Sequence, residues 1–156
     1  MDHPLPTEQS AALPFRFCQN GECEVLLVTS LRRRRWILPK GNVDPSLTPA
    51  LSAAKEALEE AGVAGMITST DVGSYVHDKR ARDGSANPMS VRVFPLAVSA
   101  EAEDWPEQSK RERRWFPIQA AVRVVEEPEL KLILLSFARD QHVRAVAVPQ
   151  RLVTSL

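Results

Sequence analysis

No stretch of the chain approaches the ~18 consecutive apolar residues that a membrane-spanning helix needs, which excludes a helical span. Met1 to Pro14 lacks a basic start followed by an apolar run, so no export leader is read and the expected location is the cytoplasm. Cysteine is scarce. Cys18 and Cys23 flank "QNGE", and an Asn20-Gly21 turn would set them opposite each other, where a disulfide is geometrically open; free thiols are the expectation without an export leader. Net charge is missing as well, because 20 acidic residues balance 20 basic ones, and so it names no partner. There is no internal repeat and no low-complexity segment. With 44% apolar and 26% charged residues in 156, the composition is that of one ordinary globular domain.

The basic residues are clumped, Arg32 to Arg35 in one block and Lys110 to Arg114 in another. Each block is short and bounded by strand-like sequence, unlike a nucleic-acid-binding tail; solvated loops or local positive patches are the two readings. Residues 1–10 are polar with two prolines and are expected to be loosely attached, with one domain over 11–142 and a tail over 143–156. "AALPFRFC" and "CEVLLVTSL" read as a hairpin, "RWILP" as a short strand, and "AGMITSTDVGSYVHD" as one or two strands. "KRARDGSANPM" reads as a polar loop, followed by strands at "SVRVFPLAVS" and "RRWFPI". A helix opens at Thr48-Pro49 and stops at Gly62, a second covers "PIQAAVRVVEE", and a third begins at Pro128 with Leu130, Ile133, Leu134 and Phe137 facing the core. Strands and helices in this order predict a mixed sheet covered by helices on its faces.

The first helix is unusual. Glu56, Glu59 and Glu60 stand at i, i+3 and i+4 on one face of its last two turns, where the macrodipole disfavours each added anion by roughly 0.3–1 kcal/mol. A solvated charged face is one reading. A bound divalent cation is the other, since it reverses the sign of that cost. Carboxylates are hard ligands suited to Mg²⁺ or Mn²⁺, and Mg²⁺ commonly takes one or two of them plus oxygens of a substrate phosphate. His3, His77 and His142 are scattered and neither cysteine is near the helix, which leaves a zinc site little support; His77 reads as a structural histidine.

Gly41 followed by Lys55-Glu56-Ala57-Leu58-Glu59-Glu60-Ala61-Gly62-Val63 resembles the Nudix box of the Nudix hydrolases, G-x5-E-x7-R-E-U-x-E-E-x-G-U, with no gap in spacing. Leu47 stands where the box has a glutamate and Lys55 where it has an arginine, and Asp44 is a candidate substitute for the missing acid. "EVLLVTSLRRRRWILPKG" and "EDWPEQSKRERRWF" extend the resemblance over roughly residues 15–140, toward the branch of diphosphoinositol polyphosphate and diadenosine polyphosphate hydrolases. The resemblance implies an α/β/α sandwich with a mixed sheet. It also implies Mg²⁺ or Mn²⁺ on Glu56, Glu60 and Glu59 with the Gly41 carbonyl, Glu59 as the base with Glu56 beside it, and Lys55 as the residue that orients the catalytic glutamate. Lys40, where the branch usually has glycine, would reach a phosphate. Arg32, Arg33 and Arg35, with Arg111 or Arg113, would grip a small-molecule polyphosphate, a role that suits the bidentate guanidinium. Trp36 and Trp115 read as packing residues rather than stacking platforms. The implied reaction is hydrolysis of a diphosphate linkage; nucleoside triphosphates or RNA 5′ ends as substrates, and a non-cleaving sensor of a phosphorylated ligand, are the alternatives.

Overall fold

Gly21 takes a φ of 85°, the left-handed turn conformation that glycine adopts without steric cost. That turn joins β1 (Thr7–Phe17) to β2 (Cys23–Thr29) in the computed structural model, which describes residues 7–80 and 83–147. The register sets Cys23 opposite Phe17 instead of Cys18, and both thiols are free.

The remaining strands are β3 (Trp36–Ile37), β4 (Lys40–Asn42), β5 (Val63–Ile67), β6 (Ser74–Arg80), β7 (Ala86–Glu101) and β8 (Arg113–Pro117). They form one mixed sheet in the order β3-β2-β1-β7-β5, with β4 on β1, β6 on β7 and β8 on β2. The β1–β7 pair is parallel and the other pairs are antiparallel. Helix α1 (Pro49–Ala61) covers one face, burying Ala50, Ala53, Ala57 and Ala61 against Ala12, Leu26, Val28, Val63, Phe94 and Leu96. Small side chains there let the helix backbone approach the sheet closely. Helices α2 (Ile118–Val124) and α3 (Pro128–Ala147) cover the other face, where Leu130, Ile133, Leu134 and Phe137 pack on Leu13, Val25, Leu27, Val91 and Val93. The result is the anticipated α/β/α sandwich.

Four boundaries differ from the sequence reading. β1 starts at Thr7, so residues 7–10 are strand rather than loose chain, held by parallel pairing from Thr7↔Met89 onward; residues 1–6 lie outside the described part. α3 continues past 142 to Ala147, the rest of the expected tail lying outside the described residues. The polar loop is shorter than its composition suggests, because Lys79↔Asn87 and Arg80↔Ala86 extend the β6–β7 ladder into it. Lys40 and Gly41, outside the expected strand "RWILP", lie in the short strand β4, whose ladder partners are on β1. No helix among the described residues is long and apolar enough to cross a membrane.

Helix α1 carries both caps that its sequence announces. The Thr48 hydroxyl accepts a hydrogen bond from the Leu51 N–H at 3.1 Å, and Gly62, at a φ of 66°, closes the C-terminus with its N–H aimed at the Ala57 and Leu58 carbonyls. A Cβ at Gly62 would lie 2.7 Å from Nη1 of Arg113 and 2.9 Å from the Trp105 side chain. Gly62→Ala is therefore expected to lower stability by at least about 1–2 kcal/mol, the cost of a left-handed residue with a side chain before any crowding is counted. Urea unfolding of the purified variant measures it.

Candidate active site

Gly41 is where α1 meets the sheet edge. A Cβ on this residue would collide with the Glu56 carboxylate, so the absence of a side chain is what lets Glu56 lie against the β4 backbone. One turn further on, Glu60 is only 5% exposed. Its Oε1 accepts the Lys40 backbone N–H at 3.1 Å, and its Oε2 lies 3.3 Å from the Arg111 guanidinium. Arg111 is itself fixed, donating to Glu107 Oε1 at 2.9 Å and to the Thr29 carbonyl at 3.0 Å. The Glu107 backbone N–H in turn donates to the Glu59 carbonyl at 3.1 Å. The loop between β7 and β8 thus docks on the end of α1 through the Glu107 backbone, the Trp105 indole and the Arg111 guanidinium.

Burial shapes the acidity of this cluster. Glu60 is pushed up to about 8, first by burial and then against the pull of Arg111 and the Lys40 N–H, with the Glu56 and Glu107 charges adding to the rise. Glu56 is raised as well, by burial first and the Glu59 charge second, while a hydrogen bond from Glu60 and the Lys55 charge act in the opposite sense. Two half-starved carboxyls side by side form a strong attractor for positive charge.

Lys55 points away from this pair toward the β4–α1 loop, where its Nζ lies 3.2 Å from Oδ2 of Asp44. Asp44 is held in turn by the backbone and hydroxyl of Ser46, at 2.9 and 2.7 Å, and its own N–H donates to the Ser52 hydroxyl at 3.0 Å. These hydrogen bonds, the Ser46 hydroxyl foremost, lower the Asp44 acid to about 2, and Asp44 is the main cause of the raised Lys55. Leu47 contributes a backbone N–H to the Asp44 carbonyl at 2.9 Å and no polar side chain.

A cleft of about 470 Å³ opens beside the cluster, lined by Arg32, Arg33, Arg35, Lys40 and Arg111. Gln9, His77 and Asp78 also line the cleft. Arg111 belongs to both places, touching Glu60 on one side and lining the cleft on the other. Arg35 is partly committed, at 2.8 Å from Glu126 and 3.5 Å from Glu127, yet its Nε is buried with no partner among the described residues. Lys40 Nζ donates to Gln9 Oε1 at 3.0 Å.

Arg113 is placed elsewhere. Its guanidinium donates to the Ala61 carbonyl at 3.0 Å and the Ala102 carbonyl at 2.6 Å and lies 3.8 Å over the Trp105 ring, and it is not in the cleft wall. β8 begins at Arg113, whereas Arg111 sits in the preceding loop and is free of the strand's geometry. Arg34 and Arg114 are likewise occupied, the first donating to the Lys110 carbonyl at 2.7 Å and the second lying 5.0 Å over Trp36. Trp36 packs edge-on against Phe116 at 5.0 Å, and Arg16 lies 4.1 Å over Trp115, so both indoles are packing residues. Glu107, Gln9 and Trp105 are the contributors that sequence spacing did not single out; all three lie outside the acidic helix, and only the acid-base pattern of "EQSKR" hinted at the first.

Residues 8–137 match the family model of the NUDIX domain. The chain belongs to the Nudix family. It is 31% identical over 136 residues to Nudix hydrolase 12, mitochondrial, of Arabidopsis thaliana, covering 85% of this chain and 65% of that protein. It is 35% identical over 122 residues to diphosphoinositol polyphosphate phosphohydrolase 2 of Rattus norvegicus, covering 76% of this chain and 63% of that one. The chain thus spans somewhat less than two thirds of the length of these two relatives. The fold is shared with the C. elegans Ap4A hydrolase binary complex, at a TM-score of 0.63 and 21% identity over 85% of this chain and 96% of that one. The NUDIX domain of Shewanella oneidensis NrtR, complexed with ADP ribose, gives a TM-score of 0.64 at 17% identity, over 88% and 90%.

Nudix hydrolases generally need divalent cations, typically Mg²⁺. Among the described residues no three His, Cys, Asp or Glu side chains converge into a ready-made cage. The residues present nevertheless suit a hard cation that takes few protein ligands: Glu56 and Glu60 are adjacent, under-solvated oxygen donors, and the side-chain-free Gly41 leaves its backbone against one of them.

Two outcomes follow from this geometry. An unfolded glutamate titrates near 4.5 and folded Glu60 near 8, so between those values the folded chain retains a proton that the unfolded chain loses. Glu60 therefore lowers cation-free stability as pH rises from about 4.5 to about 8, and Glu60→Gln should flatten that decline in urea melts taken across the range. For Arg113→Ala, loss of charged hydrogen bonds to two carbonyls should cost about 1.5–3 kcal/mol of stability while leaving substrate KM unchanged. Paired melts and kinetics separate a cap on α1 from a phosphate clamp.

Proposed function

We propose that this chain hydrolyses a diphosphate linkage, X-P-P-Y, in a nucleoside or inositol polyphosphate, with dinucleoside polyphosphates or diphosphoinositol polyphosphates as substrates. The observation that carries the reading is the meeting, at Arg111, of a cleft walled by four arginines and a lysine with a buried carboxylate pair. A cleft with that many cations suits a ligand carrying many phosphate charges. The names of the rat relative and of the C. elegans neighbour point to the same substrate class.

In this reading Glu56 and Glu60 hold Mg²⁺ or Mn²⁺ with the Gly41 carbonyl, and Glu59 takes the proton of the attacking water. When bound, the cation would supply charge neutralisation at the phosphate oxygens and a more acidic water. Glu59 is half-buried, its backbone carbonyl accepts the Glu107 N–H, and its charge acts on Glu56, which supports this role. Lys55, anchored by Asp44, holds a positive charge one turn from Glu59. Arg32, Arg33 and Arg35 bind the far phosphates, and Arg111 contacts the phosphate nearest the carboxylates. The cytoplasmic location expected from the sequence belongs to the same proposal; Arabidopsis relatives named mitochondrial and chloroplastic set the alternatives.

One observation favours a second reading, a sensor that binds without cleaving: Glu60 is already engaged by Arg111 and by the Lys40 N–H. A substrate panel at fixed Mg²⁺ decides. Release of phosphate from chains of five or six phosphates in preference to nucleoside triphosphates or capped RNA supports the proposal, and the opposite preference assigns the alternative substrates. Glu59→Gln should lower kcat at least about 10²-fold, the lower end of what a positioned base contributes, with ligand binding retained. Wild type that binds polyphosphate and cleaves no diphosphate would leave the sensor.

A further inference from the structure

Ser10 has no solvent exposure, and its hydroxyl has no hydrogen-bond partner among the described residues. A buried hydroxyl left in that condition is costly, and a native position that keeps one usually has a use for it. Its direction is fixed by the sheet. Ser10 stands directly opposite Gly41 in the antiparallel β1–β4 pair, and residues so paired project to the same face. The face is identified independently, because a Cβ at Gly41 would run into the Glu56 carboxylate. Two residues along β1, Ala12 packs among the alanines of α1, whereas Ala11 and Leu13 belong to the opposite core. The Ser10 hydroxyl thus projects toward the C-terminal half of α1.

Paired Cβ positions lie roughly 4.5–5.5 Å apart, which sets the hydroxyl beside Glu56 yet leaves the two unbonded. The nearest residue on the other flank, Arg92 of β7, is committed to Asp71 at 3.0 Å and Glu8 at 3.4 Å.

We infer that Ser10 is a positioning residue of the cation site, its hydroxyl accepting a hydrogen bond from a water that the bound cation carries next to Glu56. Mg²⁺ dehydrates reluctantly and keeps several waters, each a strong donor that needs an acceptor in a fixed place. A fully buried hydroxyl on a central strand supplies such an acceptor. The inference rests on the reading of Glu56 as an ion ligand.

The test is Ser10→Ala, which removes one atom from a fully buried site and leaves the fold intact. Calorimetric titration with Mg²⁺ and electron paramagnetic resonance titration with Mn²⁺ should show affinity weakened about tenfold, while the cation-free melting temperature stays equal to or above that of wild type. The rise in melting temperature on adding Mg²⁺ should shrink accordingly. Unchanged cation affinity in Ser10→Ala, with Glu56→Gln abolishing binding, overturns the inference and leaves the ion site standing. A loss of affinity seen only when a polyphosphate is present also overturns it, since the hydroxyl then serves the phosphate. A lower cation-free melting temperature at unchanged affinity reduces Ser10 to a packing residue. Wild type that takes up no cation removes the ion site and the inference together.

Discussion

Everything around the site is arranged to keep two carboxylates, Glu56 and Glu60, at the negative end of a helix and out of water. Left alone, the position is unfavourable three times over: the macrodipole opposes anions there, the i,i+4 spacing sets like charges side by side, and burial removes their hydration. α1 has no basic residue in its last turn to answer this. The answers come from distant sequence. Arg113 of β8 caps the Ala61 carbonyl, Arg111 pairs with Glu60, Trp105 donates to the Glu60 carbonyl at 3.0 Å, and the Lys40 N–H of β4 binds the Glu60 carboxylate. The loop between β7 and β8 is thereby a structural partner of α1, and disturbing it changes the electrostatics of the carboxylates without touching them.

Local chemistry made much of this readable before any coordinates. Thr48, Pro49 and Gly62 bound α1 because capping is decided within a few residues, and Asn20-Gly21 sets a hairpin for the same reason. The acidic face was readable from spacing alone. What could not be read depends on contacts between elements far apart. β4 has three residues and a glycine at its centre, so no period of alternation identifies it; it is a strand because β1 offers it a ladder. Ser10 looks like any small polar residue near a strand start until its partner across the ladder is known to be the glycine under Glu56. Glu107 is one of several acids in a polar loop and gains its place only through Arg111.

The arginines show the same division. In sequence they form two undifferentiated blocks, and a balanced net charge gives no reason to sort them. Folding sorts them by what each guanidinium can reach. Arg34, Arg113 and Arg114 spend their donors on carbonyls or lie on aromatic faces, whereas Arg32, Arg33, Arg35 and Arg111 line the cleft. Arg35 is intermediate: acids just before α3 hold one end, and its Nε is buried without a partner among the described residues, a donor available to an anion that enters. Five fixed donors per guanidinium make such shared use possible, where a lysine would have to choose.

The two departures from the Nudix box make physical sense only when taken together with Asp44. Leu47 removes the acid from its expected position, and Lys55 replaces a planar fork with a single ammonium on a flexible stem. An acid moved three residues toward the strand, and locked by Ser46 and Ser52, presents one well-fixed carboxylate at 3.2 Å from that ammonium. Both side chains are substantially exposed, so the pair adds little to stability. Its value lies in where it holds the charge: a tethered lysine stays one turn from Glu59, and a point donor needs only a point acceptor. Asp44 thus gives Lys55 an acidic partner, anchored from the loop that precedes Leu47.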